Sequence, residues 1–160
     1  MEINVNGSDD LNYRYKMESV RVTNGGFGNG LYTIISNLDS ISHSLNIPPE
    51  ILEKYITISL GSSFNDKKKS FTGTHDNKKI QKIIYNYINT FLICPNCSIP
   101  ELVYEITKIS NKKYDINYKC SACCDKKGIK IKNNIDEKCL ENIKKYIIKE
   151  GFWKSTLLEK

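Results

Sequence analysis

The sequence predicts an α+β fold: a small antiparallel sheet with helices, followed by a four-cysteine zinc ribbon and a C-terminal helix. Three observations carry that expectation. Short segments that alternate apolar and polar residues recur between turn-forming residues over positions 20–72. An apolar stripe with helical spacing then runs from Ile80 to Phe91. Last comes a C-x2-C, x22, C-x2-C array formed by Cys94, Cys97, Cys120 and Cys123.

Each element follows in chain order. Val20-Arg-Val-Thr23 alternates as a strand, and Tyr32-Thr-Ile-Ile-Ser36 reads as its partner. Between them, Asn24-Gly-Gly-Phe-Gly-Asn-Gly30 supplies residues that tolerate positive φ, as a long hairpin turn requires. Its glycines match neither the dinucleotide fingerprint nor a P-loop, so the run reads as a hairpin tip. Leu38, Ile41 and Leu45 mark a short helix, and Pro48-Pro49 open a second one carrying Ile51, Leu52, Tyr55 and Ile56. Ile56-Thr-Ile-Ser-Leu60 and Lys69-Ser-Phe-Thr72 read as two further strands joined around Asp66-Lys-Lys-Lys69. Ile80, Ile83, Ile84, Tyr87, Ile88 and Phe91 define the longest amphipathic helix, which leads into the first cysteine pair. Glu101–Ile106, Tyr114–Tyr118 and Gly128–Lys132 alternate as the ribbon strands. Asn134-x-x-Glu137 has the form of a capping box, opening a helix through Leu140, Ile143 and Ile147 that stops at Gly151. The expected organisation is an N-terminal tail at 1–17, an α+β domain at 18–93, a ribbon at 94–133, and a helix and tail at 134–160.

Two C-x2-C pairs in a chain without a secretory signal read as a thiolate zinc site rather than disulfides. Four sulfurs close the coordination sphere, so the single Zn²⁺ is structural. Short ribbon strands bury too little to fold alone, and zinc supplies the deficit, about 10–16 kcal/mol in comparable peptides. Cys124 adjoins a ligand and stands as an alternative one; Cys139 reads as a buried helix residue.

Charge is uneven along the chain. The formal net charge is +6, and a four-thiolate zinc centre, itself −2, lowers it. By segment the balance is −3 over 1–60, +4 over 61–93, +4 over 94–133 and +1 over 134–160. The basic excess lies in the Lys67-Lys68-Lys69 turn, the long helix and the ribbon, a distribution that suits phosphate contacts with RNA. Only two of the 24 cations are arginines, Arg14 and Arg21. No apolar run approaches the roughly 18 residues that span a bilayer. The first residues have no basic, then apolar, signal pattern, so a cytoplasmic location without membrane contact is expected. The only histidines, His43 and His75, sit beside no nucleophile in a recognisable motif, so the chain does not read as an enzyme.

What stands out in the acidic N-terminal segment is Tyr13-Arg14-Tyr15-Lys16-Met17, an arginine between aromatics. With it come Gly28-Asn29-Gly30, Leu45-Asn46-x-Pro48-Pro49, Lys54-Tyr55, Leu60-Gly61, Gly73-x-His75-Asp76, Lys79-x-Gln81 and the ribbon. Taken together and in this order, they resemble the N-terminal domain of the translation initiation factor 5 family. The beta subunit of initiation factor 2 shares the α+β domain and ribbon, but the Tyr-Arg-Tyr-Lys-Met head favours factor 5.

The resemblance implies a factor that promotes GTP hydrolysis by GTP-bound initiation factor 2, with its initiator tRNA, on the small ribosomal subunit. It places an arginine finger at Arg14, assisted by Lys54. RNA or ribosome contacts fall on Asn24, Phe27 and Asn29 of the glycine loop and on Lys67, Lys68 and Lys69, and the chain is expected to act as a monomer. Where the family commonly has basic residues, this chain has Phe27 and Tyr32, and Cys124 stands where a glycine usually follows the last zinc ligand. The chain ends at Lys160, so the family's acidic linker and C-terminal helical-repeat domain are expected to be absent. These departures leave a second expectation, a binding module at the same ribosome or factor 2 site that does not activate hydrolysis.

Overall fold

The computed structural model describes residues 2–111, 113–124, 126–128 and 134–150. It shows small antiparallel sheets with helices, a C-terminal helix and a clustered set of four cysteines, the architecture expected. Strand β1 (Glu2–Asn4) pairs antiparallel with β2 (Lys16–Glu18), placing Ile3 opposite Met17. Residues 5–15 therefore form a loop closed at its base. Inside it the buried Asn4 donates from Nδ2 to the carbonyls of Ser8 (2.9 Å) and Asp10 (2.7 Å) and accepts from Lys16 Nζ (2.9 Å). Val5 of this loop and Met17 of β2 are buried in the core. Residues 18–21 then cross to the main sheet, held where Gln81 Oε1 accepts the Val20 N–H (2.9 Å) and Asn37 Oδ1 accepts the Arg21 N–H (3.0 Å).

The main sheet has the order β3-β4-β6-β5, all antiparallel: β3 (Val22–Gly25), β4 (Tyr32–Ile35), β5 (Phe64–Asn65) and β6 (Ser70–Thr72). The first strand begins two residues later than expected, because Val20 is buried with its N–H given to Gln81 rather than to a strand neighbour. Helix α1 (Leu38–Leu45) ends at Asn46 in the left-handed region (φ 57). Helix α2 (Pro49–Leu60) starts with proline, whose missing N–H has no intrahelical partner to lose, and ends at Gly61 (φ 65).

One strand expectation is overturned: Ile56–Leu60 forms the last turns of α2. Strand preference for an Ile-Thr-Ile run spans only about 1 kcal/mol. Each fully buried Ile or Leu contributes about 1.5–3 kcal/mol, and Ile51, Leu52 and Ile56 are all buried on one face of α2. Thr57 is accommodated by donating its hydroxyl to the Glu53 carbonyl one turn back (2.7 Å).

Helix α3 (Asn77–Tyr87) is capped by Asp76, whose Oδ1 accepts the Lys79 N–H at 2.7 Å. The expected stripe from Ile80 to Phe91 is buried throughout, but a regular helix ends at Tyr87 and a wider, π-type turn covers Ile88–Leu92. The wider turn directs the Phe91 carbonyl to the Tyr104 hydroxyl, which donates to it. In the ribbon, β7 (Leu102–Ser110) pairs with β8 (Lys113–Cys120), and β8 with β9 (Lys126–Gly128). The expected strand Gly128–Lys132 lies outside the described residues beyond Gly128. Helix α4 (Asn134–Glu150) packs on α2 and β7 and buries Cys139, as expected.

A single core joins these parts. It runs from Val5 to Ile147 and includes Cys94, Leu102, Tyr104, Tyr118 and Cys120 of the ribbon. A chain of rings crosses the junction: Tyr55–Tyr87 at 5.2 Å between centroids, Tyr87–Phe91 at 5.4 Å and Phe91–Tyr104 at 6.4 Å. The four-cysteine cluster is thus anchored in the same core as the helices.

Candidate functional site

Two turns of the same design bring the cysteines together. In each, the residue after the second cysteine takes a left-handed conformation and its N–H returns to the carbonyl of the first. Ser98 (φ 61) donates to Cys94 O at 2.8 Å, and Cys124 (φ 63) donates to Cys120 O at 2.9 Å. The Sγ atoms of Cys94, Cys97, Cys120 and Cys123 lie within 4.8 Å of one another, with Cys94–Cys123 at 3.8 Å and Cys97–Cys120 at 3.6 Å. A tetrahedral Zn²⁺ with Zn–S bonds of about 2.3 Å sets its sulfurs roughly 3.8 Å apart, so the donors fit that ion. Burial raises the Cys120 thiol pKa, opposed by the backbone N–H groups of Cys123 and Ala122, which stabilise the thiolate a cation needs. Cys124 stays outside the cluster and is exposed.

Cys124 therefore occupies a slot shaped for glycine. Holding an L-residue left-handed costs about 1–2 kcal/mol, so Cys124→Gly is expected to stabilise the protein by about 1 kcal/mol. A rise of a few degrees in the thermal midpoint checks this by calorimetry.

Arg14 sits at the end of the closed 5–15 loop. Tyr13 and Tyr15 flank it, edge to face at 6.0 Å, and both pack against the core. The Tyr13 hydroxyl is buried and its pKa is raised by that burial. Burial, then the facing Glu101 carboxylate, raises the Tyr15 pKa, which places this tyrosine against the start of the ribbon. The loop also touches α3: a Cβ at Gly7 would meet the Tyr85 ring at 3.7 Å. With its neighbours docked, Arg14 is exposed, its guanidinium 5.6 Å from the Tyr15 ring centroid. No carboxylate among the described residues lies within ion-pair distance of it. Arg21, the other arginine, is paired to Glu18 at 3.1 Å.

The glycine run forms the tip of the β3–β4 hairpin. Gly26 (φ +82) is irreplaceable there, because a Cβ would lie 2.0 Å from the Gly30 carbonyl oxygen. Gly26→Ala is expected to destabilise the protein by about 1–3 kcal/mol, measured as a lower urea midpoint at constant slope. Phe27 stands out from this tip at 90% exposure. Asn24 accepts the Thr33 hydroxyl (2.7 Å), and Asn29 lies in the short turn Gly28–Gly30. Tyr32 has a packing role that sequence reasoning missed: its ring covers Gly25, so that a Cβ there would meet it at 2.5 Å.

Lys54 and Lys69 line another region, an open groove of about 1030 Å³ between α2, β4 and the β5–β6 hairpin. Lys54 pairs with Glu50 at 3.1 Å. Lys69 pairs with Asp66 at 2.9 Å and Glu53 at 3.9 Å; the Asp66 hydrogen bond, then Glu53, raises its pKa. With Asp39, Glu50, Glu53 and Asp66 against two ammoniums, the groove is net acidic. Lys67 and Lys68 are exposed at the hairpin turn, their N–H groups capped by Asn65 Oδ1. The structure thus brings the four cysteines together, and sets Arg14 on a different group of elements from Lys54 and Lys69.

Among the described residues no helix is long and apolar enough to cross a membrane. Residues 6–126 match the family described as a domain found in initiation factors 2B and 5. The chain is 34% identical over 147 residues to eukaryotic translation initiation factor 5 of Caenorhabditis elegans, covering 89% of this chain and 33% of that protein. The Saccharomyces cerevisiae factor 5 is 31% identical over 147 residues (89% and 35%), and that of Mus musculus 35% over 128 residues (77% and 29%). The chain spans about a third of the length of these curated relatives.

Proposed function

We propose, from the premise that this chain belongs to the family of the domain found in initiation factors 2B and 5, that it acts as a translation initiation factor. In this reading it promotes GTP hydrolysis by initiation factor 2 on the small ribosomal subunit during start-codon selection, in the cytoplasm. The observation that carries it is the contrast between two arginines. Arg21 is held by Glu18, whereas Arg14 has no ion-pair partner among the described residues, is exposed and is braced by two docked tyrosines. A free guanidinium on a fixed base is what an arginine finger supplied in trans requires: it offsets charge developing on the transferred phosphoryl oxygens, and its fork reaches two of them.

Other groups take supporting roles. Lys54 assists; its solvent-exposed pair with Glu50 is worth only a few tenths of a kcal/mol, about 0.3–0.5, so the ammonium is easily released. The hairpin tip with Asn24, Phe27 and Asn29, and the turn with Lys67, Lys68 and Lys69, face RNA. Cys94, Cys97, Cys120 and Cys123 hold one structural Zn²⁺, which keeps the ribbon folded and leaves no open position for chemistry. The assay is GTP hydrolysis in a reconstituted complex of factor 2, initiator tRNA and the small subunit, with and without this chain.

A second reading, a factor 2 beta-like module that binds the same site without activating, is favoured by one observation. The positions where basic residues are common hold Phe27, which is exposed, and Tyr32, which is spent on covering Gly25. A factor 2 pull-down run beside the hydrolysis assay separates the two: binding without acceleration selects the module.

A further inference from the structure

We infer that the exposed face of α3 bearing Lys78, Lys79 and Lys82 binds the phosphate backbone of RNA. Only the choice of RNA as the polyanion rests on the ribosomal setting above; the surface itself stands on three separate observations. First, α3 is one-sided in charge as well as in burial. Ile80, Ile83, Ile84 and Tyr87 face the core, while Lys78, Lys79, Lys82 and Asn86 are exposed, and Asn77–Leu92 contains no carboxylate. Lys78, Lys82 and Asn86 are spaced at i, i+4 and i+8, so they form a line along the helix.

Second, these ammoniums are uncommitted. Among the described residues none of the three has a carboxylate within ion-pair distance, while Lys54 and Lys69 each do. Third, the placement opposes helix stability. Lys78 and Lys79 occupy the first turn, where the macrodipole and unsatisfied N–H groups favour anions, and the adjacent Asp76 is the only carboxylate there, with its Oδ1 already accepting the Lys79 N–H. A face that served only solubility has no reason to put cations at that end.

The partner is a polyanion rather than a protein surface. The exposed neighbours are Asn77, Asn86 and Asn89, with no exposed apolar or aromatic group on the helix, whereas protein interfaces have apolar centres and are depleted in lysine. Lysine ammoniums and asparagine amides in a row suit phosphate and ribose oxygens. The inference relocates the main phosphate contact from Lys69, which is held in an acidic groove, to a helix face.

The test uses the zinc-loaded full chain and a fluorescein-labelled 20-nucleotide RNA stem–loop, with anisotropy titrations across a range of salt concentrations. The expected result is that K78Q/K79Q/K82Q binds more than tenfold more weakly at low salt and that its log K against log salt slope is shallower by about 2, from about 0.7–0.9 for each phosphate no longer neutralised. Its thermal midpoint should equal or exceed that of the wild type, since cations leave the first turn, and K144Q/K145Q on α4 should keep the wild-type slope. An unchanged slope in the triple variant, an equal loss in the α4 control, or binding of polyglutamate in place of RNA overturns the assignment. GTP hydrolysis is not read in this assay, so its outcome is separate from that of the Arg14 reading.

Discussion

Replacing Arg14 with alanine is expected to remove most of the stimulated GTP hydrolysis, by about 10³-fold or more, while factor 2 still binds in a pull-down. Arginine fingers in other GTPases contribute about 10³–10⁵ in rate, and a factor of 10³ corresponds to about 4 kcal/mol of transition-state stabilisation. The loss cannot be assigned to unfolding, because the guanidinium is exposed and makes no ion pair among the described residues. Substitutions at such surface positions change stability by about 0.5 kcal/mol or less. Arg14→Lys separates charge from geometry: it keeps one positive charge but offers a point donor in place of a fork, and should recover little of the rate. Tyr15→Ala should give an intermediate loss, since it removes the ring beneath the guanidinium and the contact with the ribbon, but leaves the arginine itself. Equal hydrolysis rates with wild type and Arg14→Ala would falsify the finger.

For the zinc site proposed above, removing the metal is expected to have the largest effect on stability. Apparent zinc binding in comparable sites amounts to about 10–16 kcal/mol at neutral pH, as much as the whole stability of a typical domain, about 5–15 kcal/mol. Here the damage should not stop at the ribbon. Cys94 and Cys120 are buried in the same core as Tyr87, Phe91 and Tyr104, and Cys139 of α4 lies beside that aromatic chain. A chelator, or Cys120→Ser, should therefore lower the thermal midpoint sharply and expose the Cys139 thiol to labelling. Cys124→Ser should retain one zinc per chain, because Cys124 is outside the cluster. Full zinc retention in Cys120→Ser, or a Cys139 that stays protected after chelation, would contradict this coupling.

Much of the fold was legible in the sequence because its signals are local. The cysteine spacing, the Pro49 start of α2 and the apolar stripe of α3 each reflect chemistry within a few residues. The misreading of Ile56–Leu60 shows where that limit lies. Alternation of Ile and polar residues is a strand signal, but the face shared with Ile51, Leu52 and Tyr55 is buried only once α3 and α4 are in place. The same holds for the stop of α3 at Tyr87: the stripe continues to Phe91, and the wider turn there is stabilised by the Tyr104 hydroxyl from the ribbon.

For the candidate site, the sequence by itself determined which groups are present: four thiolates at metal-binding spacing, one arginine between tyrosines, and lysines concentrated after residue 60. The folded structure decided which of those groups are free, through neighbours three residues away as well as distant ones. Glu18 neutralises Arg21 and leaves Arg14; Asp66 and Glu53 hold Lys69 while Lys78, Lys79 and Lys82 stay unpaired among the described residues. Tyr32 turns onto Gly25, and Cys124 fills a left-handed slot instead of joining the cluster. The physical reason is that a charge or thiol acts on a partner only if no nearer group has already satisfied it, and these nearer groups are brought into place by the fold.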